Sequence, residues 1–372
     1  MQGFRLGSIF GFEIRIDLSW FIIFFLILWT LTVSVFPANY PELGETAYIV
    51  MGVVGTILFF ASLIAHELSH SLVAKAKGIP VEGITLFVFG GIARTRMDAE
   101  SPGDEFQIAG VGPLVSLVLA GLFGLIWWWG RSAGWTVVVT GVAGYLGSIN
   151  LLLAIFNLLP GFPLDGGRLF RSIIWKITGD LKKATRIASW GGQFLSFLII
   201  ALGVVQLLGG NILSGLWLIL IGWFLFNAAE MSYQQHLIRT SLEGVRAKEL
   251  MTRSPETVSP DLTLQELVDN YFLRRRYQAF PVTRQNHPVG IVTLNQVKEI
   301  PRDQWTTLTV AKIMTPIDNT IAVRSEENMT QVLQKMENSD VGRVLVTRGD
   351  ELEGIITGGD IASWLKRMRD LS

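Results

Sequence analysis

The chain has 372 residues, 50% hydrophobic and 17% charged, with 31 basic and 31 acidic side chains in balance. A formal net charge of zero offers no broad basic face, so no nucleic-acid partner is expected. With no cysteine, disulfides, thiol catalysis and cysteine metal sites are excluded, and any metal must be held by His, Asp or Glu.

Charge is segregated along the chain: the first 230 residues carry long apolar runs and the remainder is polar. Six runs, near 18–36, 48–74, 105–129, 135–158, 189–208 and 212–230, are long enough to cross the roughly 30 Å hydrocarbon core of a bilayer. The first ends in Phe36-Pro37-Ala38-Asn39-Tyr40 without a small-residue cleavage site, so it is expected as a retained anchor. Asp17 reads as the cap of its helix.

The second run contains His66-Glu67-Leu68-Ser69-His70. At helical pitch the two histidines are about 400° apart, on one face and one turn from each other. That spacing lets two imidazoles bind one tetrahedral zinc, with Glu67 turned toward a water on the metal. Charged and titratable groups at membrane depth are costly unless a metal or partner compensates them. Downstream, Ile84-Thr85-Leu86-Phe87-Val88-Phe89-Gly90-Gly91-Ile92-Ala93 is rich in strand formers. It reads either as an edge strand for an extended substrate or as a hairpin covering the site. In the third run, Gly110, Gly112, Pro113 and Ser116 are expected to allow close helix contact or a kink.

Two histidines and a water leave a tetrahedral zinc one ligand short. The best candidate is Asp165, in Asn157-Leu158-Leu159-Pro160-Gly161-Phe162-Pro163-Leu164-Asp165-Gly166-Gly167, where two prolines and three glycines break the fourth helix. Irregular backbone at membrane depth belongs where protein buries it or a wet cavity meets it. The alternative is a loop whose Asp165 caps the next helix. Glu230, at the end of the sixth run, is a weaker candidate.

Placing the N-terminus inside leaves Arg131 as the only Lys or Arg in the outer loops near 37–47, 130–134 and 209–211. The inner flanks then hold Arg5, Arg15, Lys75, Lys77, Arg94, Arg96 and the basic residues between 168 and 186. This asymmetry predicts a cell (inner) membrane protein with its N-terminus and polar tail in the cytoplasm.

The HELSH helix, followed by NLLPGFPLDGG, resembles the site-2 protease family of intramembrane zinc metalloproteases, whose motifs are HExxH and NxxPxxPxDG. The resemblance covers roughly residues 1–230. It implies one Zn2+ per chain held by His66, His70 and Asp165, Glu67 as general base, and Asn157 as a residue holding substrate near the metal. It further implies single-span membrane proteins as substrates, such as anti-sigma factors or membrane-tethered transcription factors.

The tail repeats itself. Lys248-Glu249-Leu250-Met251-Thr252 recurs as Ala311-Lys312-Ile313-Met314-Thr315, and Gly290-Ile291-Val292-Thr293 as Gly354-Ile355-Ile356-Thr357. Such a period means two similar units burying a face against each other. Each reads as a short strand, a helix, two strands and a helix, and the whole resembles a tandem pair of cystathionine β-synthase (CBS) domains. The resemblance implies adenine nucleotide (AMP, ADP or ATP) in the pair, with Thr357 and Asp360 of a GxxTxxD segment on its ribose and phosphate. The first unit departs from that pattern, with Gln296 after Thr293. A homodimer through the pair is the other implied role.

The expected architecture is a polytopic α-helical membrane protein of about six transmembrane helices with a soluble cytoplasmic α/β CBS-pair domain. Residues 1–233 form the protease domain, 234–244 a linker, 245–303 the first CBS unit and 304–372 the second. A CBS-gated transporter or channel is the alternative; it leaves the joint presence of His66, Glu67, His70 and Asp165 unexplained.

Overall fold

The structure, a computed structural model, describes residues 4–88, 90–95, 99–242, 244–339 and 341–370. Phe89, in the candidate edge segment, and Arg96, among the inner basic flanks, lie outside the described residues. The chain divides into two units, Met1–His236 and Leu237–Ser372.

The first unit opens with a hairpin of β1 (Phe4–Ile9) and β2 (Phe12–Ile16). Its turn residues Phe10 and Gly11 have φ of +50° and +85°, the sign that matches the twist of a two-residue hairpin. Asp17 caps α1 (Leu18–Thr30), its carboxylate accepting the Ser19 N–H at 2.9 Å. A π-helical turn, Leu31–Val35, leads into α2 (Phe36–Asn39). α3 (Glu45–Ala76) carries HELSH, with Glu45 in its first turn and Lys75 in its last, each at the end the helix dipole favours.

β3 (Val81–Phe87) and β4 (Gly90–Thr95) complete a sheet of order β1-β2-β3-β4, in which β2 and β3 are parallel and the other pairs antiparallel. Alternate residues Phe12, Ile14 and Ile16 of β2, with Ile84 and Leu86 of β3, pack on Leu68 of α3. The sheet therefore lies against the histidine helix, and β4 is one of its two edges.

α4 (Pro102–Ser132) begins at a Ser101 cap, whose hydroxyl accepts the Asp104 N–H at 3.1 Å, with Pro102 in the first helical position. α5 (Val137–Asn157) meets it closely: a Cβ on Gly147 would stand 3.2 Å from the Gly124 nitrogen. After the loop come α6 (Asp165–Thr178), α7 (Leu181–Leu208) and α8 (Ile212–Ser241). Among the described residues, six helices are long and apolar enough to span a membrane: Leu18–Asn39, Glu45–Ala76, Pro102–Ser132, Val137–Asn157, Leu181–Leu208 and Ile212–Gln234. Leu208 and Leu213 are 84% and 83% exposed, which suits lipid rather than water. The stretch expected as a linker, 234–244, is helical as far as Ser241, because polar residues simply continue the last turns of α8.

The second unit holds two sheets. Its strands are β5 (Thr252–Arg253), β6 (Ala279–Arg284), β7 (His287–Thr293), β8 (Thr315–Pro316), β9 (Ala322–Arg324), β10 (Arg343–Arg348) and β11 (Glu351–Thr357). The orders are β6-β7-β8 and β5-β11-β10-β9, so the short strand opening each repeat crosses to the sheet of the other. Each sheet covers its own core, around Phe280 and Val292 in one and Val344 and Ile356 in the other.

Candidate active site

His66 and His70 leave the same face of α3, 2% and 6% exposed, with their Nε2 atoms 3.2 Å apart. Oδ2 of Asp165 lies 3.0 Å from each. A zinc with bonds of about 2.0–2.1 Å in tetrahedral geometry needs ligand atoms about 3.3 Å apart, so the triangle is nearly the right size. The three are a group that could hold a metal ion.

The other ring nitrogens sharpen this test. His70 Nδ1–H donates to the Ile108 carbonyl at 2.6 Å, so in the neutral ring Nε2 is a bare lone pair. It faces a carboxylate oxygen, another acceptor. Two acceptors at 3.0 Å repel unless a proton or a cation stands between them. His66 Nδ1 lies 2.9 Å from the Ser116 hydroxyl. Both tethers come from α4, on either side of Pro113. Between them Gly112 touches the rings: a Cβ there would collide with His70 Nε2 and stand 2.5 Å from its Cε1 and 2.7 Å from His66 Nε2.

Asp165 arrives from the other side because α5 ends at Asn157 and the next seven residues turn back to start α6. Gly166 and Gly167 permit that turn, since the backbone of Leu158 and Leu159 occupies the space of a Gly166 Cβ, and that of Gly161 and Phe162 the space of a Gly167 Cβ. Asp165 is the first residue of α6; the cap position belongs to Leu164, and the carboxylate is turned to the histidines instead of the helix end. Glu230 is engaged elsewhere, accepting from Gln193 at 2.8 Å and Gln234 at 2.7 Å.

A cavity of about 670 Å³ opens on these groups, lined also by Glu67, Asn157, Arg168 and apolar side chains such as Trp217 and Phe224. Glu67 is roofed by β4: a Cβ on Gly91 would stand 2.5 Å from its Cγ and 2.9 Å from its Cδ. Asn157 is the last residue of α5, and its amide donates to the Leu153 carbonyl at 3.0 Å.

Reading the sequence missed the Ile108 carbonyl and the part played by Ser116, which was expected to serve packing but hydrogen-bonds a histidine. A signal was present for Ser116 alone. A buried imidazole binding metal through one nitrogen needs a partner for the other, so a hydroxyl in the neighbouring apolar helix is a candidate.

In the tail, Asp360 accepts from Thr357 N–H at 2.8 Å, Thr357 Oγ1 at 2.6 Å and Thr252 Oγ1 at 2.8 Å. These residues line a cavity of about 700 Å³ with Arg253, Arg276 and Arg343. Gln296 repeats the pattern in the other unit, accepting from Thr293 N–H at 2.8 Å and donating to Thr315 at 2.8 Å. An amide thus stands where the second unit has a carboxylate.

An HExxH helix meeting a carboxylate as third candidate ligand inside a bundle of membrane helices is the arrangement of a membrane metallohydrolase. Residues 54–130 and 130–202 match Peptidase family M50, and residues 247–302 and 310–367 match the CBS domain. "Putative zinc metalloprotease Rip3" of Mycobacterium tuberculosis is 34% identical over 96% of this chain and 91% of its own length. "Zinc metalloprotease MJ0392" of Methanocaldococcus jannaschii is 33% identical over 82% of this chain and 83% of its own. A solved structure, "Site-2 Protease from Methanocaldococcus jannaschii", aligns at 29% identity over 62% of this chain and 95% of that chain, with a TM-score of 0.42. The chain belongs to the M50 family, the site-2 proteases: it is a multi-pass membrane zinc metalloprotease carrying a CBS pair. The transporter or channel alternative falls with that assignment.

Proposed function

We propose that His66, His70 and Asp165 hold one Zn2+, and that Glu67 is the general base for peptide-bond hydrolysis in or near the transmembrane segments of single-span substrates. The observation that carries this is the convergence of His66, His70 and Asp165 on one point, with a bare Nε2 and a carboxylate oxygen 3.0 Å apart that a bound cation would reconcile. Bound zinc would acidify a water and polarise the scissile carbonyl. Glu67 would take the proton of that water and deliver it to the leaving amine. Asn157, once its amide leaves the Leu153 carbonyl, would donate to the substrate carbonyl and hold it in place.

A helical substrate hides its peptide bonds, so the reactive stretch must be extended. β4 is an edge of its sheet with Gly91 directly over Glu67, which supports a substrate strand pairing there. The candidate substrates are anti-sigma factors and membrane-tethered transcription factors. The basic flanks support a cell-membrane location with the N-terminus and tail cytoplasmic. In this reading the protease domain is 1–233, the joint 234–244, and the CBS units 245–303 and 304–372. The pair would bind AMP, ADP or ATP at Thr357 and Asp360, modulate cleavage, and offer a dimer contact.

The test is Glu67→Gln assayed on a single-span substrate in proteoliposomes. Zinc content should stay at the wild-type level while cleavage falls by roughly 10²–10⁴-fold. Cleavage near the wild-type rate would remove Glu67 from the mechanism.

A further inference from the structure

One buried carboxylate has no part in the chemistry above. Glu105, in the first turn of α4, is fully buried. Its Oε1 accepts from Arg171 of α6 through Nε at 2.7 Å and also through Nη2, and Arg168 Nε stands 3.9 Å away. Its Oε2 is buried with no donor among the described residues. The Arg171 guanidinium in turn lies over the Phe162 ring, 5.1 Å from its centroid, and the Phe162 N–H donates to the Ala188 carbonyl of α7 at 3.2 Å.

We propose that Glu105 is a positioning residue for Asp165: through Arg171 it fixes the start of α6 against the helix that tethers the histidines. This rests on the reading of Asp165 as a zinc ligand. Along α4, Glu105 stands one turn before Ile108, whose carbonyl orients His70. On the other side, Arg171 lies less than two turns beyond Asp165, and Phe162 three residues before it. The pair therefore grips the third ligand from both directions while touching none of the three.

Packing alone does not account for such a pair. Two apolar side chains hold buried helices together at least as well as an ion pair. What the guanidinium adds is orientation, because the rigid Nε and Nη2 edge of its fork converges on the single oxygen Oε1. A zinc site needs that orientation: an outer partner that aims a ligand sets how well the three donor atoms converge.

The test uses the full chain purified in detergent, zinc affinity by chelator competition, and the visible absorption of the cobalt-substituted protein as a report of ligand geometry. Glu105→Gln should weaken zinc by roughly 10–100-fold and alter the cobalt spectrum. Arg171→Lys, which keeps the charge and loses the fork, should fall between it and wild type. The double variant Glu105→Met with Arg171→Met restores an apolar contact, so it carries the test if Glu105→Gln misfolds. It should melt near wild type without metal yet bind zinc as weakly as Glu105→Gln. Wild-type affinity and cobalt spectrum in the folded double variant would overturn the proposal and leave a packing pair. Asp165→Asn serves as the reference: unchanged zinc affinity there would sink the ligand reading itself, whereas a loss there with intact Glu105 variants would sink only the tie.

Discussion

The membrane unit and the tail each gather polar side chains around a cavity, and they differ in whether those side chains satisfy one another. In the tail, Asp360 meets three donors from Thr252 and Thr357, and Gln296 reproduces the pattern at Thr293 and Thr315. Each cluster is complete by itself. In the membrane unit, His70 spends its Nδ1–H outward on Ile108 and His66 Nδ1 is engaged by Ser116, so the bare Nε2 of His70 and the Asp165 carboxylate face each other as acceptors. A satisfied cluster can exist without a ligand and must be opened to bind one; acceptors that converge at membrane depth need a proton or a cation between them. The account thus expects zinc to be integral and nucleotide to be exchangeable.

Gly112 bears most directly on the difference between the two clusters. An alanine there would place a methyl on both imidazoles, so zinc affinity should fall by about 100-fold, the upper end of what disturbing a ligand's surroundings does. Zinc titration of the variant checks it, and a near wild-type affinity would mean the rings move aside freely. Gly91→Ala should separate base from metal. Its methyl would push on Glu67, so cleavage should drop by roughly 10²-fold, as a misplaced catalytic group does, with zinc content unchanged. Loss of zinc together with activity would show that β4 supports the metal site as well.

The smallest effect belongs to the tail. Asp360→Ala removes one charged acceptor, worth about 1.5–3 kcal/mol at most when a ligand hydroxyl replaces threonine as donor. Nucleotide affinity measured by calorimetry should weaken by about tenfold, and Gln296→Ala should change it far less. Equal losses in the two variants would restore symmetry to the units and erase their distinction between carboxylate and amide.

Much of this was legible in the chain, for identifiable reasons. The membrane helices and HELSH declare themselves through periodicity and through polar groups in an apolar run, which are local signals. That Asp165 would lie beside the two histidines was reachable because a tetrahedral metal needs a further ligand and a broken helix marks where one can enter. The tethers were not reachable in the same way. Ile108 contributes a backbone carbonyl, which no side-chain pattern betrays, and Ser116 looks like any small residue at a helix contact. Gly91 and Gly112 were visible as glycines, but that Gly91 touches Glu67 and Gly112 the two histidines depends on how β4 and α4 cross α3, a fact of tertiary packing. Glu105 and Arg171, 66 residues apart, became partners only once the loop before Asp165 folded back.

The most direct test of the account is metal analysis of the purified full chain beside His66→Ala. The account predicts about one zinc per wild-type chain, retained through mild chelation, and little or none in the variant. Equal zinc in the two proteins, or none in a wild-type protein that still cleaves a membrane substrate, would contradict it.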